Sequence, residues 1–222
     1  MPAKSSKPKK TKTLEPQQER SRESLQSLLK AATEVLTERG LEGATIPRIA
    51  AKAGLSPGAV YRRFPDKDAL LQTVVLTVLE QNDESTRTLL TPEFAKQGSL
   101  RHFAEQIIQK SLQGQRQNAT LMRALDQYIL THPNVAFRKK VNKLNIRTIR
   151  RVADFLLLKR KEIKHPDPEA AVSFALIQVG FTLREMILLD TMSEEWSSLL
   201  PKGDDQLLGE LARAFLNYLG VK

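Results

Sequence analysis

Residues 43–67 read GATIPRIAAKAGLSPGAVYRRFPDK, and the order of small, capping and apolar residues in this stretch decides the fold. Thr45 is followed by Pro47, a pairing that opens a helix: the threonine hydroxyl can accept from a free first-turn N–H, and proline is tolerated where N–H groups lack partners. Ile49, Ala50 and Ala53 form its inner face. Gly54 supplies a left-handed turn residue and Leu55 fills the corner. Ser56 and Pro57 then open a second short helix, in which Val60 and Phe64, four residues apart, point inward. Pro65 ends it, and Asp66 caps a third helix with Lys67 and Asp68 in its first turn. Two short helices joined by a glycine-containing turn predict a helix-turn-helix.

Outward from this stretch the helical period continues. Leu25, Leu28, Leu29, Ala32, Val35 and Leu36 make one apolar stripe before it, closed by Gly40. Leu70, Leu71, Val74, Val75, Val78 and Leu79 make another after it. Further helices are predicted near 99–113, 117–131, 133–160, 167–190 and 204–220, with Asp167-Pro168-Glu169 a strong start signal. No strand-like alternation and no internal repeat is present. The expected fold is all-α: a basic, disordered N-terminal arm over 1–17, a helix-turn-helix domain over 18–82, and a second helical domain over 83–222.

The second helix of the motif must enter a major groove about 12 Å wide, so it needs small residues for close approach and long polar ones to reach base edges. Pro57, Gly58 and Ala59 are small, Tyr61 can bond a phosphate, and Arg62 and Arg63 can reach phosphate or guanine. Helix starts at Thr45, Ser56 and Asp66 offer free N–H groups to phosphates. Arg48 joins the candidate contacts, with a solvated helix face as its alternative reading. A formal net charge of +10 favours a polyanionic partner. In the arm, Lys4, Lys7, Lys9, Lys10 and Lys12 precede the first acid, Glu15. Such an arm either lies along DNA or is a solvated tail.

The stretch Gly43–Lys67, with Leu28-Leu29-Lys30-Ala31-Ala32 and Gly40 before it, closely resembles the DNA-binding domain of the TetR family. The resemblance covers about residues 20–80. It implies that Thr45, Tyr61 and Lys67 contact phosphates, that Gly58, Ala59 and Arg62 face the groove, and that Val60 and Phe64 are core. Arg62-Arg63 departs from the family, in which aromatic residues or histidine often follow the tyrosine. The resemblance further implies a homodimer formed by the last two long helices, about 167–190 and 204–220, on double-stranded palindromic DNA. It also implies repression relieved by an unidentified small-molecule effector, for which Met122, Tyr128, Phe155, Phe174, Gln178 and Phe181 are pocket candidates, with plain core as the alternative. The basic run Arg138, Lys139, Lys140, Lys143, Arg147, Arg150 and Arg151 reads as a solvated face or as an attractor for an anionic effector.

Other classes fit less well. The chain has no cysteine, which removes thiolate catalysis and cysteine-based metal sites. His102, His132 and His165 form no HExxH pattern, and neither a phosphate-binding glycine loop nor a nucleophile elbow is present. No catalytic residue, metal or cofactor is expected, and lone histidines read as capping or surface residues. The most apolar stretch, 170–183, is interrupted by Ser173, Gln178 and Thr182 and falls short of the about 20 apolar residues of a membrane span. The opening Met1-Pro2-Ala3-Lys4 does not resemble a signal peptide, and a cytoplasmic location is expected. A regulator with no effector, and a basic membrane-surface protein, are the remaining alternatives.

Overall fold

The computed structural model describes residues 15–189 and 198–221, and every described element is helical. In chain order these are α1 (Glu15–Gly43), α2 (Ile46–Lys52), α3 (Pro57–Tyr61), α4 (Lys67–Leu89), α5 (Pro92–Ala95), α6 (Leu100–Gln117), α7 (Ala119–Thr131), α8 (Val135–Leu157), α9 (Pro168–Leu189) and α10 (Asp204–Tyr218). A 3-10 turn at Arg160–Glu162 links α8 to α9. Residues 1–14 of the expected arm lie outside the described residues. Its last three residues are already in α1, because Pro16 stands in the first turn, where proline costs no hydrogen bond. Gly40 kinks α1 at φ 65°, a left-handed conformation.

Two apolar cores organise the molecule. The first gathers Leu28, Leu36, Ile49, Val60, Leu70 and Val74 from α1–α4 with Leu125 and Tyr128 of α7 and Phe137 and Val141 of α8. The second gathers Phe103 and Ile108 of α6, Phe155 and Leu156 of α8, Val172 and Leu183 of α9, and Phe215 of α10 with Leu219 just after it. α8 spans both regions, while the core residues of α4 all lie in the first. The boundary expected at 82/83 falls inside α4, which runs from 67 to 89 unbroken, and α8 gives its first half to one core and its second half to the other.

Polar links tie α4 to α8. Asp83, buried on α4, receives Arg147 Nε at 2.9 Å, Arg151 Nε and Nη2 at 3.2 and 3.3 Å, and the Thr148 hydroxyl at 3.2 Å. The hydrogen bond from Arg151 is the largest influence, and it holds the Asp83 carboxyl below its ordinary range against the cost of burial.

Candidate nucleic-acid interface

Within the motif, the turn has the geometry that Gly54 makes available. Its φ is 68°, its N–H donates to Ala51 O at 3.1 Å, and Leu55 N–H donates to Ala50 O at 2.8 Å, closing α2. Ser56 caps α3, its hydroxyl accepting from Ala59 N–H at 3.2 Å, and Asp66 caps α4 by accepting from Ala69 N–H at 2.7 Å. Asp167 likewise caps α9 through Ala170 N–H at 3.1 Å. Thr45 differs from expectation. It holds the N-cap position of α2 with an extended backbone, but its hydroxyl accepts no first-turn N–H, so the cap site keeps its donors free.

Behind α3 stand Val60, fully buried, and Phe64, half-buried. In front, Pro57, Gly58, Tyr61, Arg62 and Arg63 are exposed, and Ala59 is half-buried. A Cβ placed on Gly58 would meet nothing nearer than Ser56 Oγ at 4.0 Å, and its φ is ordinary. Neither packing nor backbone conformation requires glycine there, so the space it leaves is available to a body approaching from outside.

The candidate cations are held to different degrees. Arg48 Nη1 donates to Gly43 O at 3.1 Å, Lys67 Nζ to Leu41 O at 3.4 Å, and Arg63 Nη1 to Ser21 Oγ at 3.4 Å. The side chains of Arg62 and Tyr61 make no hydrogen bond among the described residues, although the Arg62 backbone N–H closes α3 on Gly58 O at 3.2 Å. Lys52, on the neighbouring turn, is taken up by Glu38 at 2.6 Å and Glu34 at 3.6 Å; its bond to Glu38 lowers the carboxyl pKa and raises that of the ammonium. Thr45, Arg48, Ser56, Tyr61, Arg62 and Lys67 thus sit together around α2, α3 and the start of α4.

One constellation escaped sequence reasoning. His132, expected as a capping or surface residue, is the C-cap of α7 but is only 5 % exposed. The backbone N–H of Asn134 donates to its Nδ1 at 3.0 Å, which places the proton of the neutral ring on Nε2, 3.0 Å from Asp68 Oδ1. Tyr128 O–H and Gln72 Nε2 also donate to the Asp68 carboxylate. Burial is the strongest single influence on Asp68 and would raise its pKa, but the bonds from Tyr128, Gln72 and His132 together leave it lowered. Burial and the Asp68 bond push the Tyr128 phenol upward. Asp68 lies one residue beyond the first residue of α4, so this network joins the base of the helix-turn-helix to the α7–α8 corner. The Pro133 that follows His132 was the only local hint, and it reads as a helix end.

The six pocket candidates are not brought together. Met122 and Tyr128 pack in the first core. Phe155 belongs to the second, its ring 5.1 Å from Phe103 and 5.9 Å from Phe94. Phe174, Gln178 and Phe181 are exposed on the outer face of α9. Apolar type alone does not say which side of a long helix faces inward. Among the described residues no group of His, Asp or Glu is placed to hold a metal, and no helix is long and apolar enough to cross a membrane.

Residues 28–74 match the sequence model of bacterial regulatory proteins of the tetR family. These residues form a TetR-family domain. Over 60 residues the chain is 38 % identical to the HTH-type transcriptional regulator BetI of Stenotrophomonas maltophilia, an alignment that spans 27 % of this chain and 31 % of BetI. The chain thus spans about a third of the length of that relative. Beyond the TetR-family domain the likeness is one of fold. The TetR transcription regulator of Haloarcula marismortui superposes with a TM-score of 0.67 at 18 % identity, covering 90 % of this chain and 97 % of that one. FadR of Bacillus subtilis, solved with stearoyl-CoA, gives 0.61 at 19 % identity over 87 % and 96 %.

Proposed function

We propose that this protein is a homodimeric, sequence-specific DNA-binding regulator, acting in the cytoplasm as a repressor that a small molecule releases from a palindromic operator. The observation that carries the DNA reading is the α3 face. Its capped, rigidly backed helix turns Pro57, Gly58, Tyr61 and Arg62 outward, with the side chains of Tyr61 and Arg62 free of hydrogen-bond partners among the described residues. In this reading Tyr61, the open N-cap of Thr45, and Lys67 contact phosphates, while Gly58 and Ala59 allow close approach and Arg62 reaches base edges. Ser56, Pro57, Arg48 and Arg63 complete the contact surface.

Support for the homodimer comes from α9 and α10. Phe174, Ile177 and Phe181 recur at three- and four-residue steps and are 49 %, 38 % and 57 % exposed. Tyr218 of α10 adds to this face, its ring 5.5 Å from Phe174. Such an apolar face on a water-exposed helix pair suits a second copy, and two-fold symmetry would present two α3 helices to one side of a duplex. Repression and release by an effector follow the family's usual mode. FadR, which shares the fold and was solved in complex with stearoyl-CoA, is a precedent for a small-molecule ligand on this fold. The effector would act by preferring the conformation that fits the operator less well.

Selection of bound duplexes from a random pool at physiological salt tests the proposal. An enriched inverted repeat is expected. Binding that is only sequence-independent and salt-sensitive would refute specific regulation.

A further inference from the structure

Along α8, bordering the second core at Phe155, runs an open groove of about 850 Å³, walled at one end by the α4–α5 turn. Five cationic side chains line it, Lys139, Lys143, Arg147, Arg150 and Arg151, against a single lining acid, Asp154. They are one face of one helix, repeating at three- and four-residue steps, so their charges are stacked along the groove rather than spread around α8. Arg147 and Arg151 are held in place from behind by the buried Asp83. Lys139, Lys143 and Arg150 have no protein partner among the described residues. With Asp154 and Asp83 both counted as ionised, the groove keeps a net positive charge.

The charge is graded along the groove. Its cationic end lies toward the start of α8, and its far end is apolar, built by Leu158, 56 % exposed, with Phe155, Leu90 and Pro92. Ile146, 48 % exposed, sits between the two ends. Lysines alone would read as a solvated face; fixed guanidinium groups beside exposed aliphatic surface match a ligand that has both characters.

We propose that this groove binds an amphipathic organic anion, with a phosphate- or carboxylate-type head among the α8 cations and an aliphatic or ring-bearing body on Leu158, Phe155 and Leu90. The regulator reading explains what such a ligand would be for, but not where it binds. The head would compete with Asp83 for Arg147 and Arg151 and so weaken the link between α8 and α4, the helix that begins at the helix-turn-helix.

Calorimetry on the full chain without DNA tests the site, using dodecyl phosphate below its micellar concentration. One saturable site per protomer is expected. Inorganic phosphate and the uncharged amphiphile dodecyl maltoside should each bind at least about tenfold more weakly, because each lacks one half of the contact. Combining Lys143→Gln and Arg150→Gln, which break no contact within the protein, should weaken dodecyl phosphate by about tenfold. Leu158→Gln should weaken it too while leaving inorganic phosphate unchanged. Equal binding by the variants and the parent chain would overturn the site, as would dodecyl maltoside binding as tightly. Affinity for phosphatidylglycerol vesicles without affinity for the monomeric amphiphile would overturn the small-ligand reading in favour of a membrane surface. Duplex binding by the same variants is measured separately, so a chain that binds DNA but not dodecyl phosphate fails this proposal alone.

Discussion

Val60 and Tyr61 are neighbours in sequence and opposites in environment, the first fully buried and the second 53 % exposed. Tyr61→Ala should therefore leave the thermal midpoint unchanged while weakening operator binding by about tenfold or more, read by electrophoretic mobility shift. Unchanged affinity would remove Tyr61 from the interface. Asp83 gives a pH dependence of definite sign. Its pKa is lowered by Arg151, so its contribution is fully present above the ordinary value of 3.8 and is lost as pH falls through the depressed folded value. Replacing it by Asn should cost about 1 kcal/mol near neutral pH, since the two guanidinium groups lose their partner but stay in reach of water. It should also flatten the decline of the melting temperature in acid. A variant that melts like the parent at every pH would show that the α4–α8 ion pairs contribute nothing.

Between elements, the turn after α2 and the corner after α7 do different work. Gly54 and the Ser56 cap set the angle at which α3 leaves α2. Ser56→Ala should cost about 1 kcal/mol through the lost cap, and Gly54→Ala a similar amount through its left-handed φ. Urea unfolding measures both. The α7–α8 corner instead anchors the base of α4. Tyr128→Phe keeps the ring packing against His132 and Phe137 and removes only the hydroxyl's bonds to the Asp68 carboxylate and backbone carbonyl. We expect a loss of about 1 kcal/mol and, if this corner transmits a signal, a changed operator affinity although no DNA-facing residue is altered. An operator affinity that does not move would make the network structural only.

For the whole molecule, the outer face of α9 and the distribution of charge set assembly and DNA affinity. Phe181→Lys places a charge in the proposed dimer face and should convert the protein to monomers in light scattering, with weaker operator binding as a consequence. A variant that stays dimeric would move the interface elsewhere. Deleting residues 1–13, which carry five lysines, should flatten the dependence of binding on salt, because each neutralised phosphate contributes about 0.9 to the logarithmic slope. An unchanged slope would make the arm a bystander.

The helix-turn-helix was legible in the sequence because its determinants are local. Ser56 and Ala59, Asp66 and Ala69, and the φ of Gly54 involve residues at most three apart, and short-range hydrogen bonds leave short-range patterns. The long helices were legible for the same reason, from their apolar period. Tertiary packing alone decided the rest. It buried His132 against Asp68, 64 residues away, and set Arg151 on Asp83, 68 residues away. Either pair reads in sequence as ordinary surface charge. It also placed Phe155 inside and Phe181 outside, though both are phenylalanines on predicted helices. Which face of a long helix is covered depends on the helices that pack against it, and no residue records that by itself.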